Sequence, residues 1–335
     1  MRKIIFNLLY YSGVGHLLHL INKLRGKIPV ILFHRVSPVP DPCWSPLTPA
    51  QFEKTIRLLS KHYTFCSLDR LLEIKTSIQK NACCVVFDDG FYDFKLYALP
   101  VLVKYNVPVT LFVSTDNTEN KYPIWTSTID NIIINTNKSK ENNEITVGKE
   151  KIILKLNSEK DLFNTATTIK NSLMNYEIEQ RELLIKELKE QLPDGKTPDH
   201  PLLSWADLKE IKSMYPALIN IQSHSHTHPF LPALNKNEIE TELETSGNIL
   251  KSKNFNSVDK LAYPIGGYDS RTIDAAKKYY SYAFKVENKS VTLKKINKEP
   301  DYLYQIPRFN IHTDNPLETF MFVNGFHSMI KRILN

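Results

Sequence analysis

Short apolar runs recur along the chain, and helical patterns separate most of them. The runs lie at 28–36, 82–87, 107–115, 218–223, 260–264 and 282–286. Runs of this length that are apolar on both faces are typical of strands buried in a parallel sheet. After the first run, Thr48 is a good N-cap and Pro49 suits the first helical position. Phe52, Ile56 and Leu59 then recur at helical spacing. This alternation of strand and helix predicts a parallel α/β architecture.

The alternation breaks between residues 116 and 200, where the chain becomes rich in Asn, Lys and Glu. A hairpin is predicted around Gly148, and two helices are predicted over 158–176 and 177–192. We therefore predict that residues 116–200 are an accessory α+β insertion within a domain that spans 28–335.

Residues 1–27 form a separate N-terminal segment in which leucines alternate with polar and basic residues. It lacks a small-x-small cleavage site and is too interrupted for a membrane span, so we expect neither a cleaved signal peptide nor a spanning helix. Two interpretations stay open: an amphipathic helix on anionic lipid, or a helix packed on the domain's own core. The expected location is cytoplasmic, at the inner face of the membrane if the segment binds lipid.

The amino-acid composition limits the classes of molecule that the protein is expected to bind. The 335 residues are 42% hydrophobic and 24% charged, with a net charge of +7, which is ordinary globular composition with a mild basic excess. No Lys/Arg block is dense enough for a nucleic-acid stripe, so we expect no nucleic-acid partner. The four cysteines show no spacing typical of a disulfide framework or a zinc knuckle, and free thiols fit a reducing compartment.

Polar residues with metal-binding chemistry follow two of the predicted strands. Asp88 and Asp89 come directly after the run at 82–87, and two adjacent carboxylates at a strand end need a cation to offset their repulsion. His224 and His228 follow the run at 218–223, and on one helical turn both imidazoles would reach a single ion. Two histidines and a carboxylate are a common catalytic metal set. The alternative is a polar loop of surface histidines.

Six stretches together resemble one enzyme family. They read FDDG, HSHTHP, ILFHRV, SWADLKEI, LAYPIGGYD and IPRFNIH. They resemble the polysaccharide deacetylases of carbohydrate esterase family 4, most closely the branch with bacterial exopolysaccharide deacetylases such as those acting on poly-N-acetylglucosamine. The resemblance covers most of the chain outside 116–200. It implies a distorted, incomplete (β/α) barrel, here with an inserted α+β subdomain.

The resemblance also implies roles for individual residues. Asp89, His224 and His228 would hold one divalent metal ion, Zn²⁺ first and Co²⁺, Ni²⁺, Mn²⁺ or Fe²⁺ as alternatives. Asp88 would be the general base. In the loop AYPIGG, the backbone N–H of Ile265 would stabilise the oxyanion.

Two departures from the family pattern concern the base and the acid. The arginine that orients the base is replaced by Ala262, and Arg308 could supply that charge, although it could also be a surface cation. The C-terminal Leu-x-His-Asp motif with the general acid is not evident. In the exopolysaccharide branch that histidine lies on an N-terminal strand, which implies His34; a core histidine is the alternative. His312 and His327 are the competing acids.

The predicted function is metal-dependent N-deacetylation of amino sugars in a bacterial surface or extracellular polysaccharide or its precursor, a hydrolysis of a non-peptide carbon–nitrogen bond. The expected partner is an N-acetylated glycan or a lipid-linked saccharide. Aromatic residues that could stack on sugar rings are Phe91, Tyr92, Trp205 and Tyr268, with packing favoured for Trp205. The alternatives are a deformylase or deacetylase of a lipid- or nucleotide-linked sugar, and an inactive glycan-binding relative. A metal phosphoesterase lacks the extra carboxylates of a two-metal site.

Overall fold

The computed structural model describes residues 2–73, 81–192, 200–255 and 257–327. The strands are β1 (Lys27–Ile28), β2 (Val30–Phe33), β3 (Thr64–Phe65), β4 (Ala82–Phe87), β5 (Val109–Val113), β6 (Glu144–Val147), β7 (Glu150–Ile153), β8 (Ile219–Ser223), β9 (Lys260–Ala262), β10 (Tyr282–Val286), β11 (Val291–Thr292) and β12 (Ile306–Asn310). The α-helices are α1 (Arg2–Tyr11), α2 (Val14–Leu24), α3 (Pro49–Ser60), α4 (Leu68–Glu73), α5 (Leu99–Lys104), α6 (Thr115–Asn120), α7 (Trp125–Asn135), α8 (Glu159–Met174), α9 (Ile178–Gln191), α10 (Trp205–Met214), α11 (Lys236–Ser252), α12 (Ser270–Tyr279), α13 (Leu293–Lys298) and α14 (Pro316–Val323).

Seven parallel strands close into a barrel in the order β2-β12-β10-β9-β8-β5-β4, and β4 pairs back with β2. The closing pair runs in register from Val30–Cys84 to Phe33–Phe87, whereas β8 and β9 share a single residue pair. A complete (β/α) barrel has eight strands. The prediction of a distorted, incomplete barrel is therefore confirmed.

The barrel elements follow from local sequence. All six residues of β4 are buried, which explains the unbroken apolar run in the sequence. Thr48 and Gln51 form a capping box at the start of α3, and Pro49 occupies its first turn. The fully buried Phe52 and Ile56 lie on the face of α3 that enters the core.

One predicted helix departs from regular geometry. Instead of a single α-helix over 92–104, a π-helical turn at Phe94–Ala98 precedes α5. The N–H of Leu99 donates to the carbonyl of Phe94, five residues back. Pro100 has no N–H to donate to Leu96, and its ring clashes with that carbonyl in an α-helix, so the wider turn avoids the conflict.

The N-terminal segment is two helices rather than one. The break falls at Gly13, whose φ of 86° lies in the left-handed region. On one side the pair packs on α14, where Phe6, Met321 and Phe326 form a small apolar cluster. On the other side each helix carries a row of exposed apolar side chains, which comprises Ile5, Leu8 and Tyr11 on α1 and Leu17, Leu20 and Leu24 on α2. None of the described helices is long and apolar enough to cross a membrane.

The segment predicted as an insertion has a hydrophobic cluster of its own. Strands β6 and β7 form the expected antiparallel hairpin around Gly148, and α8 and α9 follow it. Ile129, Ile145, Ile169 and Ile185 belong to this cluster, which places α7, the hairpin and both later helices around one core. The segment that connects the insertion back to the barrel includes residues 193–199, which lie outside the described residues. Residues 328–335, the last part of the predicted domain, also lie outside them.

The capping box of α3 yields a stability prediction. Thr48→Ala removes the side-chain acceptor for the N–H of Gln51, so we expect the free energy of unfolding to fall by about 1 kcal/mol. Urea denaturation measures this change. Thr168→Ala is the matched control, because Thr168 is exposed inside α8 and bonds only the carbonyl of Asn164. An equal loss in both variants would contradict the role of the cap.

Candidate active site

The side chains predicted from the sequence to bind metal or to catalyse lie together at the carboxyl ends of the barrel strands. Asp88 and Asp89 follow β4, His224 follows β8 and His34 follows β2. Arg308 lies within β12, two residues before its end. Parallel strands of a barrel present their carboxyl ends at one rim, and this rim carries the active site in such folds.

Three of these residues form a compact set of potential metal ligands. Asp89, His224 and His228 each offer one ligand atom, and these atoms lie within 4.8 Å of one another. The Oδ1 atom of Asp89 is 3.4 Å from Nε2 of His224 and 3.3 Å from Nε2 of His228. Ligands bound to a tetrahedral Zn²⁺ at 2.0–2.1 Å stand about 3.4 Å apart. The three residues therefore fit a single divalent ion.

The expectation that a helical turn brings the two histidines together is wrong. Residues 224–228 form an irregular loop, in which Ser225 (φ 65°) and His228 (φ 57°) have left-handed backbone conformations. The loop turns back on itself, so the imidazole ring centroids are 4.9 Å apart. Left-handed φ is uncommon outside glycine and stores strain, which persists where the surrounding structure imposes it.

The same conformation occurs at the second of the two neighbouring carboxylates and at the glycine that follows it. Asp89 has φ 71° and Gly90 has φ 75°. A Cβ atom at Gly90 would lie 3.0 Å from the side chain of Val113, so glycine is required there on two counts. After this turn, Asp88 contacts Arg308, Asp89 contacts His228, and Nε2 of His224 lies near both carboxylates.

Hydrogen bonds from the scaffold orient the histidine loop. Nδ1–H of His224 donates to the carbonyl of Ala262 (2.8 Å), which leaves Nε2 free to bind a metal. The N–H groups of His226 and Thr227 both donate to the buried carboxylate of Glu242 on α11, each at 2.9 Å. Such outer contacts fix ring orientation in metal sites.

Asp88 pairs with Arg308 through one carboxylate oxygen, and its other oxygen, Oδ2, lies 3.8 Å from Nε2 of His224. Nη1 of Arg308 donates to Oδ1 of Asp88 at 2.6 Å, and both side chains are almost fully buried. Burial alone would raise the pKa of Asp88, but the charges of Arg308 and His224 hold it below its usual value. Asp88 is therefore ionised and held in a fixed orientation.

His34 lies beside the same cavity as the metal-ligand set and packs against the ring of Trp44, with centroids 5.1 Å apart. Burial lowers its pKa, while the carboxylates of Asp89 and Asp88 act in the opposite direction. The competing histidines lie elsewhere. His312 lines a neighbouring cavity, and His327 packs on the ring of Phe322 at 5.0 Å.

Ile265 occupies the tip of a tight turn at the cavity rim. Its φ of 58° is rare for a β-branched residue. The hydrogen bonds that close this turn come from the N–H groups of Gly266 and Gly267, so neither uses the N–H of Ile265. The side chain of Ile265 lines the cavity and is 40% exposed.

The cavity over this site has a volume of about 320 Å³, and several of its walls were not anticipated from the sequence. Trp44 and His200 line it from loops. Trp125 and Phe163 line it from the insertion, at sequence distances that no motif connects. Of the aromatic residues suggested for sugar stacking, Phe91 lines this cavity, whereas Trp205 packs near Phe255.

The ligand set generates a metal-binding prediction. We expect the wild-type chain to bind one Zn²⁺, removable by a chelator, and His228→Gln to lower the affinity more than about 100-fold because one of three ligands is lost. Equilibrium dialysis with metal analysis measures both. His226→Gln is the control, because His226 lies between the ligands but bonds Thr115 (2.9 Å) instead. Equal effects of the two substitutions would argue against the assigned set.

Comparison with known proteins agrees with this geometry. The polysaccharide deacetylase family model matches residues 75–283, more than half of the chain and including Asp88, Asp89, His224 and His228. No curated protein sequence matches the chain. Solved structures with a similar fold also exist. Their sequence identities to this chain are low, so they show the likeness of fold alone.

Three such structures are the deacetylase PplD of Streptococcus pyogenes in complex with acetate (18% identity, TM-score 0.54, 88% of this chain and 98% of that chain), IcaB of Ammonifex degensii (15%, 0.56, 88% and 96%) and a polysaccharide deacetylase of Bacillus cereus (20%, 0.53, 88% and 69%). The match to the family model over most of the barrel identifies the chain as a member of the polysaccharide deacetylase family.

Proposed function

We propose that this protein is a metal-dependent N-deacetylase of amino sugars in a bacterial surface or extracellular polysaccharide or its precursor. The observation that carries the proposal is the meeting, at one cavity, of the metal-ligand set, an ionised Asp88 and His34. Its membership of a family of amide hydrolases supports the reaction class. An inactive glycan-binding relative would have no need of all these groups.

In the proposed hydrolysis, the metal ion and the protein side chains have separate roles. Asp89, His224 and His228 would hold a divalent ion, which would supply a water molecule of lowered pKa and a positive charge to polarise the acyl carbonyl. Asp88 accepts the proton of the attacking water. Arg308 occupies Oδ1 of Asp88, so the carboxylate keeps one orientation and presents its remaining lone pairs to the water.

The leaving nitrogen needs a proton, since an amine anion is a very poor leaving group. His34 is the proposed donor, because it lines the same cavity as Asp88 and the metal-ligand set. Burial lowers the pKa of His34, and the carboxylates of Asp89 and Asp88 act against that lowering. His200 also lines the cavity but is paired with Asp41, 3.0 Å away. The N–H of Ile265 is the proposed donor to the oxyanion that forms on the acyl carbonyl. The products are a carboxylic acid, acetate for an acetyl group, and a free amino sugar.

The proposed substrate is an N-acetylated glycan or a lipid-linked saccharide. The fold likeness to IcaB and to the acetate complex of PplD supports the branch of the family and an acetyl group. A deformylase or deacetylase of a lipid- or nucleotide-linked sugar is the second candidate. The exposed apolar rows on α1 and α2 favour it, because an enzyme acting on a lipid-linked sugar works at a membrane surface.

We further propose that α1 and α2 bind an anionic membrane surface. The exposed fractions of Leu8 (66%), Leu17 (58%) and Leu24 (69%) leave apolar surface in water, and exposed Lys23 and Arg25 stand beside Leu24. Apolar side chains flanked by cations match a membrane with anionic headgroups. The cytoplasmic face is the proposed compartment, because all four cysteines are free thiols.

Acetate release tests the deacetylase. We expect metal-loaded wild type to release acetate from N-acetylated glycans or lipid-linked sugars, and Asp88→Asn and His34→Gln each to lower kcat about 10²- to 10⁴-fold. His312→Gln, which removes a histidine beside the neighbouring cavity, leaves kcat within about threefold, since it contacts no reacting group. Full activity of Asp88→Asn would refute the assigned base, and release of formate alone would establish the deformylase.

Vesicle flotation tests the membrane surface. We expect wild type to float with vesicles rich in phosphatidylglycerol and less with pure phosphatidylcholine, and Leu17→Ser with Leu20→Ser to lower the bound fraction several-fold. The matched control is Leu183→Ser with Met214→Ser, which removes exposed apolar side chains of similar exposure far along the chain. Equal binding by both double variants would exclude α2 as the contact.

A further inference from the structure

The insertion supplies one wall of the active-site cavity. On this side the cavity is lined by Trp125, Ser127 and Asp130 of α7 and by Phe163 and Lys170 of α8. The proposed reaction uses none of them, because the ligands, base, acid and oxyanion donor all come from the barrel rim. These side chains therefore face whatever part of the substrate extends beyond its N-acyl group.

The position of α7 is tied directly to the metal-ligand loop. Nε1–H of the buried Trp125 donates to the carbonyl of His228 at 3.0 Å. The guanidinium of Arg181 on α9 lies 5.0 Å from the Trp125 ring, and Ser114 donates to the carbonyl of His226 at 2.7 Å. Side chains on α7 that enter the cavity are thus held at a set distance from the reacting group, as a specificity site requires.

An ion pair joins the two helices within this wall. Nζ of Lys170 is 2.7 Å from Oδ1 of Asp130, and their side chains are 14% and 5% exposed. A buried ion pair is a weak way to hold helices together, because desolvation offsets most of the attraction and apolar residues of similar size do as well. Its occurrence in a cavity wall points instead to recognition of a polar ligand.

The pair retains hydrogen-bonding capacity for such a ligand. A carboxylate has about four acceptor positions and an ammonium group three donors. Burial raises the pKa of Asp130 to about 6, against the effect of Lys170, so the carboxylate is ionised at neutral pH. A sugar hydroxyl both donates and accepts, and a carboxylate beside an ammonium group satisfies both demands with charge-assisted bonds.

A cluster of three polar side chains lies nearby on the barrel side of the cavity. Nη1 of Arg35 donates to Oδ2 of Asp41 at 2.8 Å, and Nε2 of His200 lies 3.0 Å from the same oxygen. All three line the cavity, and the charges of Asp41 and His200 act on the pKa of Asp130. The junction between barrel and insertion is therefore a polar surface, in a cavity that aromatic side chains such as Trp44, Phe91 and Phe163 also line.

We propose that the Asp130–Lys170 pair binds hydroxyl groups of the sugar ring whose N-acyl group is hydrolysed, so that α7 and α8 determine which sugar reacts. This inference rests on the proposed deacetylase function and deepens it. The ligand class is an N-acylated amino sugar with free ring hydroxyls. The cavity of about 320 Å³ lies at the small end of ligand pockets, which suits one ring at the metal-ligand set.

The test compares three variants: one single substitution, one double substitution that preserves packing, and one double substitution as a control. Asp130→Asn removes the charge of the carboxylate. Asp130→Leu with Lys170→Met replaces the ion pair by apolar side chains, which keeps the helices packed if the pair has no structural role. Glu144→Gln with Lys151→Met removes an exposed ion pair (2.7 Å) in the hairpin of the same insertion. Substrates are an N-acetylated monosaccharide and a short oligomer of it.

We expect Asp130→Asn and the double variant Asp130→Leu with Lys170→Met to lower kcat/KM about 10- to 100-fold. The factor is the same on both substrates, because the contact is with the reacting ring itself. The double variant keeps the Zn²⁺ affinity and the unfolding temperature of wild type, and the control double variant keeps full activity. Unchanged kcat/KM in Asp130→Asn, a loss confined to the oligomer, or a loss that follows Zn²⁺ affinity would each overturn the proposal.

Binding measured without turnover separates this inference from the proposed function. If wild type releases no acyl group from any N-acyl sugar, the deacetylase proposal fails on its own. Saturation-transfer NMR with N-acetylglucosamine then still tests the subsite: binding by wild type that disappears in the double variant Asp130→Leu with Lys170→Met supports it. Binding that is equal in both proteins, or absent from wild type, overturns it.

Discussion

Two adjacent buried carboxylates at the end of β4 are the constraint around which the rest of the site is arranged. Like charges 4 Å apart repel by about 4 kcal/mol at an effective dielectric constant of 20, and burial adds a desolvation cost for each. The backbone is left-handed at Asp89, and each carboxylate has a cationic or imidazole partner of its own in addition to His224, which lies near both. Asp88 meets a guanidinium from β12, and Asp89 meets the two imidazoles of the loop after β8.

This division explains why the barrel must close as it does. Arg308 lies 220 residues beyond Asp88 in the chain, and β12 reaches β4 only through β2, which pairs with both. The ring of strands therefore brings a cation from a distant part of the chain to Asp88, the proposed base. The fully buried guanidinium also explains the depressed pKa of Asp88.

The insertion and the N-terminal helices add surfaces to this common core. The insertion has its own apolar cluster and donates a hydrogen bond from Trp125 to the carbonyl of His228, so its cavity wall is held against the loop that carries two of the proposed ligands. The N-terminal helices pack one face on α14 and leave the other exposed. Inward packing therefore describes one face of these helices, and contact with lipid is proposed for the other face.

The sequence by itself determined the elements with strong local signals. Buried strands such as β4 and β10 and the capped helices α3 and α12 follow from apolar runs, spacing and capping residues within a few positions of one another. Their order predicted a parallel α/β architecture, and the motifs carried the resemblance to the family, which implied the barrel. The expected helical turn at the histidine cluster was wrong, since the left-handed residues of that loop have no distinct local signal outside glycine.

Only the tertiary structure decided which distant residues meet. The contact of Arg308 with Asp88, the position of His34 beside Trp44, and the approach of Asp130 and Lys170 to the cavity depend on strand pairing and helix docking across long chain separations. Spacing within one element carries no information about such contacts, because they follow from the closure of the barrel and from the packing of the insertion against it.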